Sequence, residues 1–112
     1  MKSAERGLQI WNVLCGCAHN RQTITYKALA ELIGMGAGTL ARPLGHVMRY
    51  CESHDLPALT SLVVLKGRGK PSTGLTTVTS SKMDEMREKV FQHNWYNQLA
   101  PSVNELEEEY PS

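Results

Sequence analysis

The chain predicts a mainly α fold with a small β-hairpin, arranged as a winged helix-turn-helix. Three observations carry this reading. Apolar residues recur at three-and-four spacing in three successive segments. A glycine-rich turn, Gly34-Met35-Gly36-Ala37-Gly38, joins the second segment to the third, and the β-branched run Leu62-Val63-Val64-Leu65 follows them. With 112 residues the chain is long enough for one modest core.

Ser3 is the expected N-cap of a first helix running to about His19, with Leu8, Trp11, Leu14, Cys15 and Ala18 on its buried face. Asn20-Arg21-Gln22 breaks that pattern. A short second helix follows Thr25, carries Leu29, Leu32 and Ile33 as its apolar stripe and ends at Gly34. Thr39 caps a third helix, whose apolar residues Leu40, Leu44, Val47, Met48 and Cys51 fit the helical period. Pro43 is tolerable in the first turn, but a proline disfavours helical geometry at the residue before it, here Arg42. Past the strand, residues 67–71 form a loop, and Thr76-Thr77-Val78-Thr79 is the expected returning strand. Ser81 with Asp84 resembles a capping box opening a fourth helix to about Asn94, with Met83, Met86, Val90 and Phe91 facing inward. Residues 1–100 thus make one winged-helix-like domain. Residues 101–112, with Glu105, Glu107, Glu108 and Glu109, read as an acidic, solvated or frayed tail.

The net charge of +1 conceals an asymmetry: residues 1–80 carry +5 and residues 81–112 carry −4. A basic body is compatible with a polyanionic partner. No apolar run approaches the ~18–20 residues needed to span a bilayer, and the N-terminus lacks the uninterrupted apolar stretch of a signal peptide. The expectation is a cytoplasmic chain without a membrane segment. Cys15, Cys17 and Cys51 are too few for a disulfide scaffold. Cys15 and Cys17 lie about 200° apart around a helix, which argues against a shared metal, and the expected state is a buried thiol. His19, His46, His54 and His93 show no ligand spacing. No nucleophile–base set can be assembled, so neither a metal, a cofactor nor an enzyme is expected.

Residues 23–49 read Thr-Ile-Thr-Tyr-Lys-Ala-Leu-Ala-Glu-Leu-Ile-Gly, a turn, then Ala-Arg-Pro-Leu-Gly-His-Val-Met-Arg. This resembles the DNA-binding domain of the alkylguanine-DNA alkyltransferases and of the shorter alkyltransferase-like proteins. Those chains carry a Thr-x-Ser/Thr-Tyr-x-x-Leu-Ala segment and then a helix beginning Ala-Arg-Ala-Val-Gly. The likeness covers about half the chain. It implies that Tyr26 contacts the phosphate beside a flipped nucleotide, that Arg42 enters the minor groove in place of the extruded base, and that Gly45 lies where the recognition helix packs closely. A guanidinium can fill the gap in the base stack, and a hydroxyl near a helix start can help hold a phosphate.

The family enzymes have Pro-Cys-His-Arg-Val before the position of Val64, where this chain has Leu59-Thr60-Ser61-Leu62-Val63. Thr60 stands in place of the acceptor cysteine and Ser61 in place of the histidine that would activate it, so alkyl transfer is not expected. Even the alkyltransferase-like branch, which lacks the cysteine, keeps the histidine and arginine that are replaced here.

The sequence therefore points to a non-catalytic protein that binds duplex DNA, recognising distorted or damaged duplex in a DNA-repair setting. Tyr26, Thr39, Arg42, Gly45, His46 and Arg49 form the expected contact set on the helix-turn-helix. Lys66, Arg68 and Lys70 add a basic loop for the backbone. The alternative is a protein-interaction module, an accessory or inhibitory subunit of a nucleic-acid-processing complex. It would dock its partner through a Trp95/Tyr96 patch or the acidic tail.

Overall fold

The computed structural model describes residues 1–65 and 80–110. Helix α1 spans Ser3–His19 and buries Ala4, Gly7, Ile10, Trp11, Leu14, Cys15 and Ala18, the stripe its period dictates. Its N-cap is Lys2, one residue before the expected Ser3. Glu5 reaches back to accept from the Lys2 backbone N–H at 2.7 Å, which leaves the Ser3 hydroxyl free for another partner.

Strand β1, Ile24–Thr25, leads into α2, Tyr26–Ile33. The Thr25 hydroxyl caps α2 by accepting from the Ala28 N–H at 3.0 Å. Gly34 ends the helix at φ 75°, a left-handed conformation costly for any residue with a side chain. The Arg6 guanidinium donates to the Ile33 carbonyl, satisfying one of the acceptors that a helix end leaves open. Leu32, expected on the buried stripe, is 64% exposed; only Leu29 and Ala30 of this helix are buried.

A single 3-10 turn, Ala37–Thr39, precedes α3, Ala41–Ser53. Arg42 is helical despite the proline after it. Pro43 sits in the first turn, where its missing N–H would have had no intrahelical acceptor. Helix α1 crosses α3 closely at Gly7: a Cβ there would lie 3.3 Å from both the His46 Cβ and the Pro43 carbonyl oxygen. A second 3-10 segment, Leu59–Leu62, is fully buried and delivers the chain to β2, Val63–Val64.

The described residues hold a sheet that the sequence did not announce. β2 pairs with β1 in parallel, with Ile24 opposite Val63 and Thr25 opposite Val64. A parallel pair needs a crossover, and α2 with α3 supplies it. The proposed returning strand at residues 76–79 and the basic loop at residues 66–70 lie outside the described residues. The architecture shown is mainly helical with a small two-stranded parallel sheet.

Helix α4, Ser80–Gln92, buries Met83 and Val90. Trp95 follows on a 3-10 turn, is 4% exposed and donates to the Val90 carbonyl at 2.8 Å. The run expected as a frayed tail instead forms α5, Val103–Glu109. A reciprocal cap holds its start: the Ser102 hydroxyl accepts from the Glu105 N–H at 3.1 Å, and Glu105 accepts from the Ser102 N–H at 3.0 Å. Leu106 is wholly buried against α1 and α3, and with the half-buried Val103 it pins a largely acidic helix. At the centre of the core, Trp11 meets Tyr50 and Trp95 edge-on, with ring centroids 5.5 and 5.4 Å away.

Candidate nucleic-acid interface

Helix α3 has two working faces. Leu44, Val47 and Cys51 enter the core. On the other side Arg42, Gly45, Arg49 and Ser53 fall at helical spacing and form a stripe two to three turns long. Arg42 and Arg49 are exposed, and among the described residues neither forms a salt bridge.

The stripe is covered. Tyr110, just beyond α5, lays its ring over Gly45, where an added Cβ would come within 2.8 Å of the ring edge. The Arg42 and Arg49 guanidinium carbons lie 5.2 and 5.7 Å from the centroid of that ring, both within cation–π range. The Ser53 hydroxyl donates to the Glu109 carboxylate. Glu105 is held below the ordinary carboxylate range, first by the Ser102 N–H and then by its hydroxyl. Helix α5 therefore brings the Glu109 carboxylate onto the α3 stripe at Ser53.

His46 does not belong to a contact surface. It is fully buried, and its two ring nitrogens are both engaged within the chain. A carbonyl can only accept, so Nδ1 carries the hydrogen and donates to Leu106 O at 2.8 Å. Nε2 and the Ser3 hydroxyl form a hydrogen bond of 2.9 Å. The histidine expected to face a partner instead ties together α1, α3 and α5.

Tyr26 is the first residue of α2, half-buried and packed on the core. Thr39 is exposed, with its hydroxyl donating to Gly36 O at 2.6 Å. Lys66, Arg68 and Lys70 lie outside the described residues. The structure thus gathers Arg42, Gly45 and Arg49 on one stripe, places Tyr26 and Thr39 on neighbouring elements, and withdraws His46. Sequence reasoning missed Tyr110. Its only local signal is an aromatic ring at the end of an acidic run, and nothing in the spacing links it to a helix some 60 residues earlier.

A second set of polar groups lies under the surface. Thr60 and Ser61 are each 1% exposed, and neither hydroxyl has a hydrogen-bond partner among the described residues. Arg87 reaches in from α4 and donates from Nε to the Ser61 carbonyl at 2.9 Å, while its buried Nη2 has no partner among the described residues. Burial pulls this guanidinium below its ordinary pKa, against the opposing pull of Asp84. A buried hydroxyl without a partner costs about 1–3 kcal/mol. Thr60→Val, which keeps the shape and removes the hydroxyl, should therefore raise stability by about 1 kcal/mol. Urea unfolding would show a higher midpoint; a loss of that size would mean that the hydroxyl is bonded after all.

The thiols are poor nucleophiles. Burial pushes Cys15 up to about 12 and Cys51 up to about 11, and raises Cys17 as well. Among the described residues no cluster of three His, Cys, Asp or Glu side chains could hold a metal ion, and no helix is long and apolar enough to cross a membrane.

No protein-family model, curated protein or solved structure matches the chain. The resemblance to alkyltransferases rests on residues 23–49 and reaches more loosely to Val63-Val64. Thr60, which that resemblance aligns with the acceptor cysteine, is a buried hydroxyl rather than a thiol.

Proposed function

We propose that this chain is a non-catalytic protein that binds duplex DNA through an alkyltransferase-like winged helix-turn-helix, with α3 as the helix that meets the duplex. One observation carries the reading: Arg42 and Arg49, both exposed, stand two turns apart on one stripe of α3, either side of a glycine, with no carboxylate bound to either among the described residues. Two such guanidinium groups can contact phosphates on one strand. Arg42, nearer the helix start, is also placed to enter a groove where the duplex is distorted. Helix α2, the turn at Gly34 and α3 supply the helix-turn-helix connectivity.

The test is fluorescence anisotropy with intact, mismatched and alkylguanine-containing duplexes at low and moderate salt. Wild type should prefer the altered duplexes and lose affinity steeply with salt, as counterions are released. Arg42→Ala should cost roughly 1–3 kcal/mol of that preference, between about five-fold and a hundred-fold in Kd. Binding that is equal for all three duplexes and indifferent to the substitution would sink the reading.

A protein partner is the second reading, and two side chains favour it. Tyr96 is 65% and Leu99 92% exposed, an apolar pair beside the buried Trp95. Such a pair suits a docking site on an accessory or inhibitory subunit of a nucleic-acid-processing complex. Retention on heparin that falls with salt speaks for the first reading, and flow-through for the second.

A further inference from the structure

We infer that residues 107–110 are a built-in strap over the α3 stripe, so that a nucleic acid gains the stripe only when they let go. The inference rests on the DNA-binding reading of α3 and concerns the regulation of that same face.

The geometry of α5 divides it into an anchor and a tip. The anchor is Leu106, wholly buried, with its carbonyl held by His46 and the reciprocal Ser102–Glu105 cap one turn earlier. The tip begins after it. Glu108 is exposed, and Glu107, Glu109 and Tyr110 are half-buried. Tyr110 has already left helical geometry, at φ −147° and ψ 71°.

What holds the tip is the half-buried Tyr110 ring, beside two guanidinium groups and edge-on to the buried His46, and the Glu109 carboxylate on Ser53. The guanidinium and carboxylate contacts are individually weak and compete with water, so the tip can open while the anchor stays.

The occupant also matches what it excludes. A duplex offers anionic phosphates and flat aromatic bases. The tip offers three consecutive carboxylates, Glu109 among them on Ser53, and one aromatic ring placed against Arg42, Gly45 and Arg49. No phosphate or base can approach Gly45 while the Tyr110 ring lies there. The affinity observed for a duplex is then the intrinsic affinity scaled by the fraction of molecules whose tip is open.

The experiment compares duplex binding by wild type, Tyr110→Ala, Tyr110→Phe and the Arg42→Ala/Tyr110→Ala double variant. Circular dichroism melts check that each is folded. In parallel, cleavage by a glutamate-specific protease at Glu107, Glu108 and Glu109 is followed with and without saturating duplex. Tyr110→Ala should bind about tenfold tighter than wild type. Tyr110→Phe, which keeps the ring, should match wild type, and the double variant should lose the gain. Duplex should speed cleavage of the wild-type tip.

If Tyr110→Ala binds as wild type does and duplex leaves cleavage unchanged, the strap is overturned while DNA binding stands. Weaker binding by Tyr110→Ala would likewise overturn it, by making the ring part of the contact surface. If no variant binds any duplex, the reading of α3 falls, and the strap with it.

Discussion

Trp11→Ala should cost about 3–5 kcal/mol of folding free energy, the largest loss expected of any single truncation in this chain. The side chain is 2% exposed and its ring meets two others edge-on, Tyr50 from α3 and Trp95 after α4. Its removal leaves a cavity bordered by three elements far apart in sequence, and closing it would need all three to move together. Domains of this size are typically stable by only about 5–15 kcal/mol, so much of the margin would go. Urea denaturation would show the midpoint falling with little change in slope. A loss below about 1 kcal/mol would mean that the three rings do not form the keystone of the core.

His46→Ala should cost roughly 2–4 kcal/mol, although histidine is usually a surface residue. The ring is fully buried, and its loss leaves the Leu106 carbonyl without its donor, the Ser3 hydroxyl without its partner, and a void beneath Tyr110. The damage should fall unevenly: amide exchange should rise first in α5, whose anchor is gone, before α1 or α3 is affected. Arg42→Ala and Arg49→Ala should by contrast stay within about 0.5 kcal/mol of wild type, being exposed. If His46→Ala kept full stability and weakened only duplex binding, the histidine would be a contact residue and its structural assignment wrong.

The helices were legible because local chemistry marks their ends. Thr25 and Gly34 bound α2 by a hydroxyl cap and a left-handed turn, both properties of single residues. The period of α1 likewise reveals its buried stripe. What escaped depends on contacts between residues far apart. Ile24 and Thr25 are too short a run to show alternation, so their pairing with β2 could not be read from them. Helix α5 has one fully buried residue, Leu106, among glutamates, and seven residues with two apolar side chains, Val103 and Leu106, look like a solvated end. The same distance hid the fate of His46, because α3 is buried on a second side only by α5. The exposed Arg42 and Arg49 could be picked out as charged residues off the apolar stripe; that Tyr110 covers the space between them could not.

The pairing of Ile24 with Val63 has a bearing on how the chain comes to be folded. It pins side by side the two ends of a segment about 40 residues long, so α2, the glycine turn and α3 hang as one closed loop from a two-rung clasp. Closing a loop costs entropy that grows only with the logarithm of its length, whereas helices form from neighbours along the chain. The helix pair can therefore take shape before its base is fastened. Once fastened, the clasp keeps α2 and α3 from drifting apart as independent arms, and the turn between them is the place where added residues would disturb it least.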